Sequence, residues 1–94
     1  MDIKTLKGIL KKAKKGTMTR AEYNAVLLEW IAEKKAEVKE KREWYEKRND
    51  KQEFAYFDTI YTDLCLIECD IKNGLEKDFA EVLLELYPEY FNEL

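Results

Sequence analysis

The side chains best suited to chemistry in this sequence are two cysteines, Cys65 and Cys69, which lie four residues apart. On a helix this spacing places the two thiols on neighbouring turns of one face. Two thiolates supply half of the ligands of a tetrahedral zinc site, and the chain has no histidine that could supply the others. A disulfide between them would strain the helix, because bridged Cβ atoms lie closer together than helical neighbours do. We therefore predict two reduced, largely buried thiols, no metal and no cofactor.

Other catalytic groups are missing. The chain contains neither histidine nor serine, which excludes catalytic triads that use an imidazole base. It has three glycines and no glycine-rich phosphate-binding loop. The carboxylates remain, but the sequence shows neither a base of tuned pKa nor a metal-binding arrangement among them. We predict that the protein is not an enzyme.

Carboxylates recur at helical spacing near the C-terminus, and an aromatic tail follows them. One interpretation is a solvated helix face, which needs no function. The other is an acidic surface, edged by aromatic side chains, that binds a basic groove on a partner protein. Such a groove could normally hold nucleic acid, because the carboxylates present negative charge where phosphates would lie. This candidate partner-binding set consists of Asp78, Glu81, Glu85, Glu89, Tyr90 and Trp44.

The two aromatic positions each allow two arrangements. Trp44 lies among charged residues near the end of a long helical segment. It either packs against the tip of the next helix or stays exposed as an anchor for a partner or for a second copy of the chain. Tyr90 and Phe91 follow Pro88, and their side chains either pack into the bundle or face outward.

The N-terminal segment is basic and amphipathic, with Leu6 and Leu10 on its apolar side. It could dock on the rest of the protein, bind the phosphates of a nucleic acid, or lie on a membrane surface. The acidic net charge of −3 and the absence of aromatic residues among the lysines favour docking. The alternative nucleic-acid site consists of Lys7, Lys11, Lys12, Lys14 and Lys15.

Two helix-capping patterns organise the middle of the chain. Thr19 and Glu22 have the spacing of a capping box, and Asp50 with Glu53 repeats it. One unbroken helix across this span would be roughly 80 Å long with a bare apolar face. We therefore predict that the chain turns at Asn49 and forms an antiparallel hairpin, which leaves pairing between two chains as the alternative.

The predicted fold is a single all-α domain over residues 1–94: a long helical hairpin with a short N-terminal helix and a C-terminal helix packed on it. The predicted segments are residues 1–15, 20–48, 51–73 and 75–87. In the hairpin register, Glu68 comes within about a turn of Lys34 and Lys35. Trp30 lies off the main apolar stripe and needs the N-terminal or C-terminal helix as cover.

Charge is divided unevenly along the chain. Residues 1–50 carry fourteen Lys and Arg against nine Asp and Glu, whereas residues 51–94 carry three against eleven. This distribution leaves the C-terminal half acidic, with Asp58, Asp63 and Asp70 on the outer side of the second hairpin helix. No apolar run is long enough to cross a bilayer and no signal peptide is evident, so we predict a cytoplasmic protein without membrane contact.

In general character this is a short acidic helical chain, rich in tyrosine and lysine and without catalytic residues. In these respects it resembles the small phage-encoded proteins that bind and inhibit host machinery, anti-defence inhibitors included. The resemblance implies a non-enzymatic protein-binding module that inhibits a host nucleic-acid-processing or defence complex. The alternative is a nucleic-acid-binding or regulatory protein that uses the basic N-terminal helix. A homodimer is left open.

Overall fold

The computed structural model describes residues 3–75 and 79–91. These residues form helices with no strand among them, which confirms the predicted all-α class and the small helical bundle. The helices of the described residues are α1 (Ile3–Lys14), α2 (Arg20–Lys47), α3 (Lys51–Lys72), α4 (Phe79–Leu86) and α5 (Pro88–Phe91).

The chain divides into two compact units. The hairpin unit, Glu29–Leu75, contains most of α2 and all of α3. The terminal unit, Met1–Leu28 with Glu76–Leu94, contains α1, the first turns of α2, α4 and α5. That residues 1–94 make one single domain stays a prediction.

Helix α2 begins with the predicted capping box. The Glu22 amide donates to Thr19 Oγ1 at 3.1 Å, and the Thr19 amide donates to Glu22 Oε1 at 3.3 Å. Two amides that the first turn of a helix cannot satisfy internally are thereby satisfied by side chains. At the start of α3, the Glu53 amide donates to Asp50 Oδ1 at 3.2 Å. Both predicted helix starts are confirmed.

The chain reverses at Asn49, as predicted. Asn49 has φ 56°, in the left-handed region that non-glycine residues rarely adopt. Its amide donates to Glu46 O and the Asp50 amide donates to Tyr45 O, which is the hydrogen-bond pattern of a Schellman motif. Asp50 therefore closes α2 with its backbone and caps α3 with its side chain. The hairpin turn is built from these two residues.

Replacing Asn49 by alanine should lower the free energy of unfolding by about 1–2 kcal/mol, because a Cβ without a polar group is unfavourable at this φ. Asn49→Gly should match or exceed the wild-type stability, since glycine adopts this conformation without that cost. Asn73→Ala is the matched control, because Asn73 ends α3 at φ −87°. Urea unfolding measures all three. An equal loss in Asn73→Ala and Asn49→Ala would show that backbone strain is not the cause.

Contacts between α2 and α3 proceed outward from the turn in antiparallel order. The rings of Tyr45 and Phe57 stack with centroids 5.5 Å apart. Lys35 Nζ and Glu68 Oε1, farther from the turn, lie 3.4 Å apart. The hairpin forms within one chain, so α3 supplies the cover that α2 needs. The buried apolar side chains of the hairpin unit are Trp30, Ile31, Val38, Phe57, Ile60, Leu64, Ile67 and Ile71.

Three cations interrupt the apolar stripe of α2, and each has a partner. Lys34 is 7% exposed and its Nζ lies 3.3 Å from Glu37 Oε2. Lys35 pairs with Glu68, as predicted. Partial burial lowers the pKa of Lys35, but electrostatic interactions with Cys65, Glu68 and Tyr61 and the hydrogen bond to Glu68 outweigh it, so that the pKa is raised.

Arg42 forms an ion pair across the hairpin. Its Nη1 lies 2.9 Å from Asp58 Oδ1, and its guanidinium lies 4.5 Å from the centre of the Tyr61 ring. Lys35 Nζ lies 5.7 Å from the same ring. Asp58, which is predicted on the outer side of α3, remains nearly half exposed, but its carboxylate also reaches across to Arg42 of α2. Lys35 and Arg42 are therefore accommodated by aromatic and acidic groups of α3, whereas Lys34 pairs within α2.

The terminal unit has its own apolar interior. Leu6 and Leu10 of α1 are buried, which agrees with the docking interpretation of the N-terminal segment. Helix α1 contacts α4, and α4 contacts α5. Among the described residues of this unit, the buried apolar side chains are Leu6, Leu10, Tyr23, Leu27, Phe79, Ala80, Leu83 and Phe91.

The predicted C-terminal helix of residues 75–87 is described from Phe79 to Leu86 as α4, and residues 76–78 lie outside the described residues. Gly74, at φ 83°, ends α3, and the Leu75 amide donates back to Asp70 O at 2.9 Å. Leu75 is thereby held outside a helix and remains exposed. Helix α4 ends at Leu86 because Pro88 disfavours helical geometry in the residue before it, and Pro88 itself begins α5.

Candidate functional site

Three of the predicted acidic residues lie exposed on the last two helices. Glu81 and Glu85 are one turn apart on α4, and Glu89 is in the first turn of α5. None of the three forms an ion pair with any residue that the structure describes. Phe79 and Leu83 of the same helix are buried, so that α4 presents its carboxylates away from its apolar side. Asp78, the fourth predicted carboxylate, lies outside the described residues.

The aromatic tail is split between two roles. Phe91 is fully buried, whereas Tyr90 is only partly buried and contacts the Phe91 ring edge-on, with centroids 4.9 Å apart. Leu86 is 56% exposed and lies next to Glu85 in the chain. An exposed leucine therefore follows directly after one of the carboxylates of α4. We define the acidic face as Glu81, Glu85, Leu86, Glu89 and Tyr90.

The alternative nucleic-acid site is also in the terminal unit. Lys11, Lys12 and Lys14 occupy the last turn of α1 and are exposed, as is Lys15, while Lys7 is partly buried. Cations in the last turn of a helix stabilise it, because they offset the partial negative charge of its carbonyl end. The lysines therefore have a structural role that needs no ligand.

Trp44 belongs to the hairpin unit, so the predicted partner-binding set is divided between the two units. Trp44 is 48% exposed, whereas its role as an anchor for a partner stays a prediction. The guanidinium of Arg48 lies 3.4 Å from the centre of the indole, and Arg48 Nη1 donates to Trp44 O. Tyr45 contacts the indole edge-on at 4.8 Å, with an angle of 82° between the rings. The indole is therefore held in place while nearly half of it remains open to solvent.

A surface groove of about 380 Å³ lies beside this indole. We call it the Trp44 groove, and its lining residues are Glu37, Glu40, Lys41, Trp44 and Tyr45. All five belong to α2, and the three charged residues lie within two turns before Trp44. Charged neighbours of Trp44 are evident from the sequence, but only the folded helix shows that they form a concave surface.

The two cysteines are free thiols. Cys65 is partly buried and Cys69 is exposed, so the prediction of largely buried thiols is wrong for Cys69. Asn73 Nδ2 lies 3.5 Å from Cys69 Sγ. Within residues 3–75 and 79–91, no group of three or more His, Cys, Asp or Glu is arranged to hold a metal ion.

The fold and these surfaces define a small all-α protein with an acidic face in one unit and an aromatic groove in the other. The chain matches no protein-family model, no curated protein and no solved structure. None of the described helices combines the length and the apolar character that crossing a membrane requires.

Proposed function

We propose that this protein is a non-enzymatic protein-binding module whose acidic face binds a basic groove on a partner protein. The observation that carries the proposal is the exposure of Glu81, Glu85 and Glu89 without an ion pair to any described residue. Carboxylates that are not neutralised within the chain keep their charge for a cationic partner. Such charges increase the association rate and exclude partners of the wrong sign.

Apolar and aromatic groups beside the carboxylates support the same proposal. Leu86 is more than half exposed, and Tyr90 keeps part of its ring in solvent. Binding energy in protein interfaces is concentrated in a few such side chains, while surrounding charges set orientation and specificity. The acidic face combines both kinds of group on two short helices whose apolar sides are buried.

The kind of partner follows from the charge and from the resemblance to small phage-encoded inhibitors. A groove that holds nucleic acid is lined by lysine and arginine, and carboxylates repeated along a helix can occupy it in place of phosphates. We therefore propose inhibition of a host nucleic-acid-processing or defence complex in the cytoplasm. The second candidate is a nucleic-acid-binding or regulatory protein. It is supported by the lysines of the alternative site, because four of these five, Lys11, Lys12, Lys14 and Lys15, are exposed.

Charge reversal distinguishes the two candidates. Glu81→Lys, Glu85→Lys and Glu89→Lys, made together, should abolish capture of the partner from a bacterial lysate by tagged protein, as measured by mass spectrometry. The matched control combines Lys11→Glu, Lys12→Glu and Lys15→Glu, which reverses three charges of the other sign. We expect this control to retain the partner, and circular dichroism should show that both variants remain helical.

The opposite pattern would support the second candidate. Loss of binding in the lysine variant alone, together with release of the ligand by nuclease, would show that α1 binds nucleic acid. Its affinity would then fall steeply with salt concentration. Salt dependence alone does not separate the candidates, because screening also weakens a protein groove bound through carboxylates. The paired variants do separate them.

A further inference from the structure

The Trp44 groove combines aromatic walls with carboxylates. The rings of Trp44 and Tyr45 meet at 82° with centroids 4.8 Å apart. One face of each ring is already covered, that of Trp44 by Arg48 and that of Tyr45 by Phe57. The face of an aromatic ring is electron-rich and attracts a cation that lies within about 6 Å of its centre. The same faces repel anions. The aromatic part of the groove therefore favours a positively charged ligand.

The charged lining includes one carboxylate, that of Glu40, without an ion pair to any described residue. Glu37 and Glu40 supply two carboxylates against the one ammonium of Lys41. Lys41 Nζ lies 5.8 Å from the centre of the Phe57 ring, which is within the distance of a cation–π contact. Glu37 pairs with Lys34, whereas Glu40 forms no hydrogen bond or ion pair with any residue that the structure describes. Glu40 is thus the carboxylate available to a cation in the groove.

The chain itself shows which cation this indole accepts. The guanidinium of Arg48 stacks 3.4 Å from the ring centre of Trp44. Arg48 lies one turn after Trp44 and does not line the groove, whereas Glu40 and Lys41 lie about one turn before it. The groove is therefore beside a part of the indole other than the one that Arg48 covers.

From these contacts we infer that the Trp44 groove binds an arginine side chain of a partner protein. A planar guanidinium can lie flat against the indole and donate two hydrogen bonds to the Glu40 carboxylate at the same time. A lysine ammonium makes a point contact and is more strongly hydrated, so it gains less in the same place. The volume of about 380 Å³ is sufficient for one such side chain. The inference concerns the hairpin unit and does not depend on the acidic face.

Three short peptides test the inference on ¹⁵N-labelled full-length protein. They are acetyl-Gly-Arg-Gly-amide, its lysine counterpart and its citrulline counterpart, in which citrulline is an uncharged analogue of arginine. The arginine peptide should shift the Trp44 indole N–H and the Tyr45 amide resonances in a saturable manner. The lysine peptide should bind more weakly, and the citrulline peptide should cause no saturable shift. A single charge per peptide keeps the readout local to the groove.

Variants of α2 give the expected changes in affinity. Trp44→Ala, followed at the Tyr45 amide, should weaken binding of the arginine peptide by about fivefold. Glu40→Gln should weaken it by about threefold. Lys41→Gln should strengthen it, because the repelling ammonium is removed. Glu43→Gln is the matched control, since Glu43 is an exposed glutamate of the same helix that does not line the groove.

Several results would overturn the inference. One is that Glu40→Gln and Glu43→Gln change the affinity for the arginine peptide equally. Another is that the citrulline peptide binds as tightly as the arginine peptide. A third is that the arginine peptide causes no saturable shift at Trp44 and Tyr45. The triple variant of Glu81, Glu85 and Glu89 should leave the response of Trp44 unchanged. Failure of the groove inference is therefore distinguishable from failure of the proposed function.

Discussion

Replacing Trp30 by alanine is expected to lower the free energy of unfolding by about 3–5 kcal/mol, whereas Trp44→Ala should lower it by less than about 1 kcal/mol. Both tryptophans are on α2, and they differ in exposure: Trp30 is 0% exposed and Trp44 is 48% exposed. Removing a buried indole loses its packing and leaves a cavity that the helices fill only in part. Removing an exposed indole loses only partial contacts.

Urea unfolding followed by circular dichroism measures both effects. Small domains are stable by about 5–15 kcal/mol, so Trp30→Ala could remove much of the total. Trp30→Phe keeps an aromatic ring at the same position and should therefore lose less free energy of unfolding. Its urea midpoint then stays in the measurable range. Equal losses in Trp30→Ala and Trp44→Ala would show that the two side chains are not buried to the different extents described.

Phe91→Ala is the second substitution with a large expected effect, again a loss of about 3–5 kcal/mol in the free energy of unfolding. Phe91 is fully buried in the last turn of helix that the structure describes. Its ring contacts those of Tyr87 and Tyr90, with centroids 6.3 Å and 4.9 Å away. The substitution removes the aromatic group around which these tyrosines are arranged.

Tyr90→Ala is the neighbouring control, and it separates stability from binding. Because Tyr90 is only partly buried, its loss should cost less stability than that of Phe91. If the acidic face is the binding surface, Tyr90→Ala should nevertheless weaken capture of the partner. A Tyr90 variant that unfolds as easily as the Phe91 variant would contradict the division of the tail into a buried and a partly buried ring.

Local sequence signals predicted the helix starts and the turn correctly. Thr19 with Glu22, and Asp50 with Glu53, form the hydrogen bonds that their spacing indicates. Asn49 adopts the left-handed conformation that the turn requires. Each of these interactions joins atoms within five residues of one another, so the information is contained in a short stretch of sequence.

Partners across the hairpin were predicted less completely. The pair of Lys35 with Glu68 followed from the antiparallel register. The register did not predict the pair of Arg42 with Asp58. It also did not predict that the Tyr61 ring lies beside both Lys35 and Arg42. The antiparallel register predicts which backbone positions lie within about a turn of each other. A long side chain can contact any of several neighbours within that distance. Only the packed helices show which contact forms.

The sequence by itself determined the helical class, the ends of the hairpin helices and the absence of histidine-based and serine-based chemistry, because composition and local capping decide these properties. Tertiary structure decided which apolar side chains are covered. Trp30 and Trp44 project to nearly the same side of one helix, yet one is buried and the other lines a groove. Helical periodicity gives the direction of a side chain, whereas burial depends on what lies opposite it, and that is supplied by distant parts of the chain.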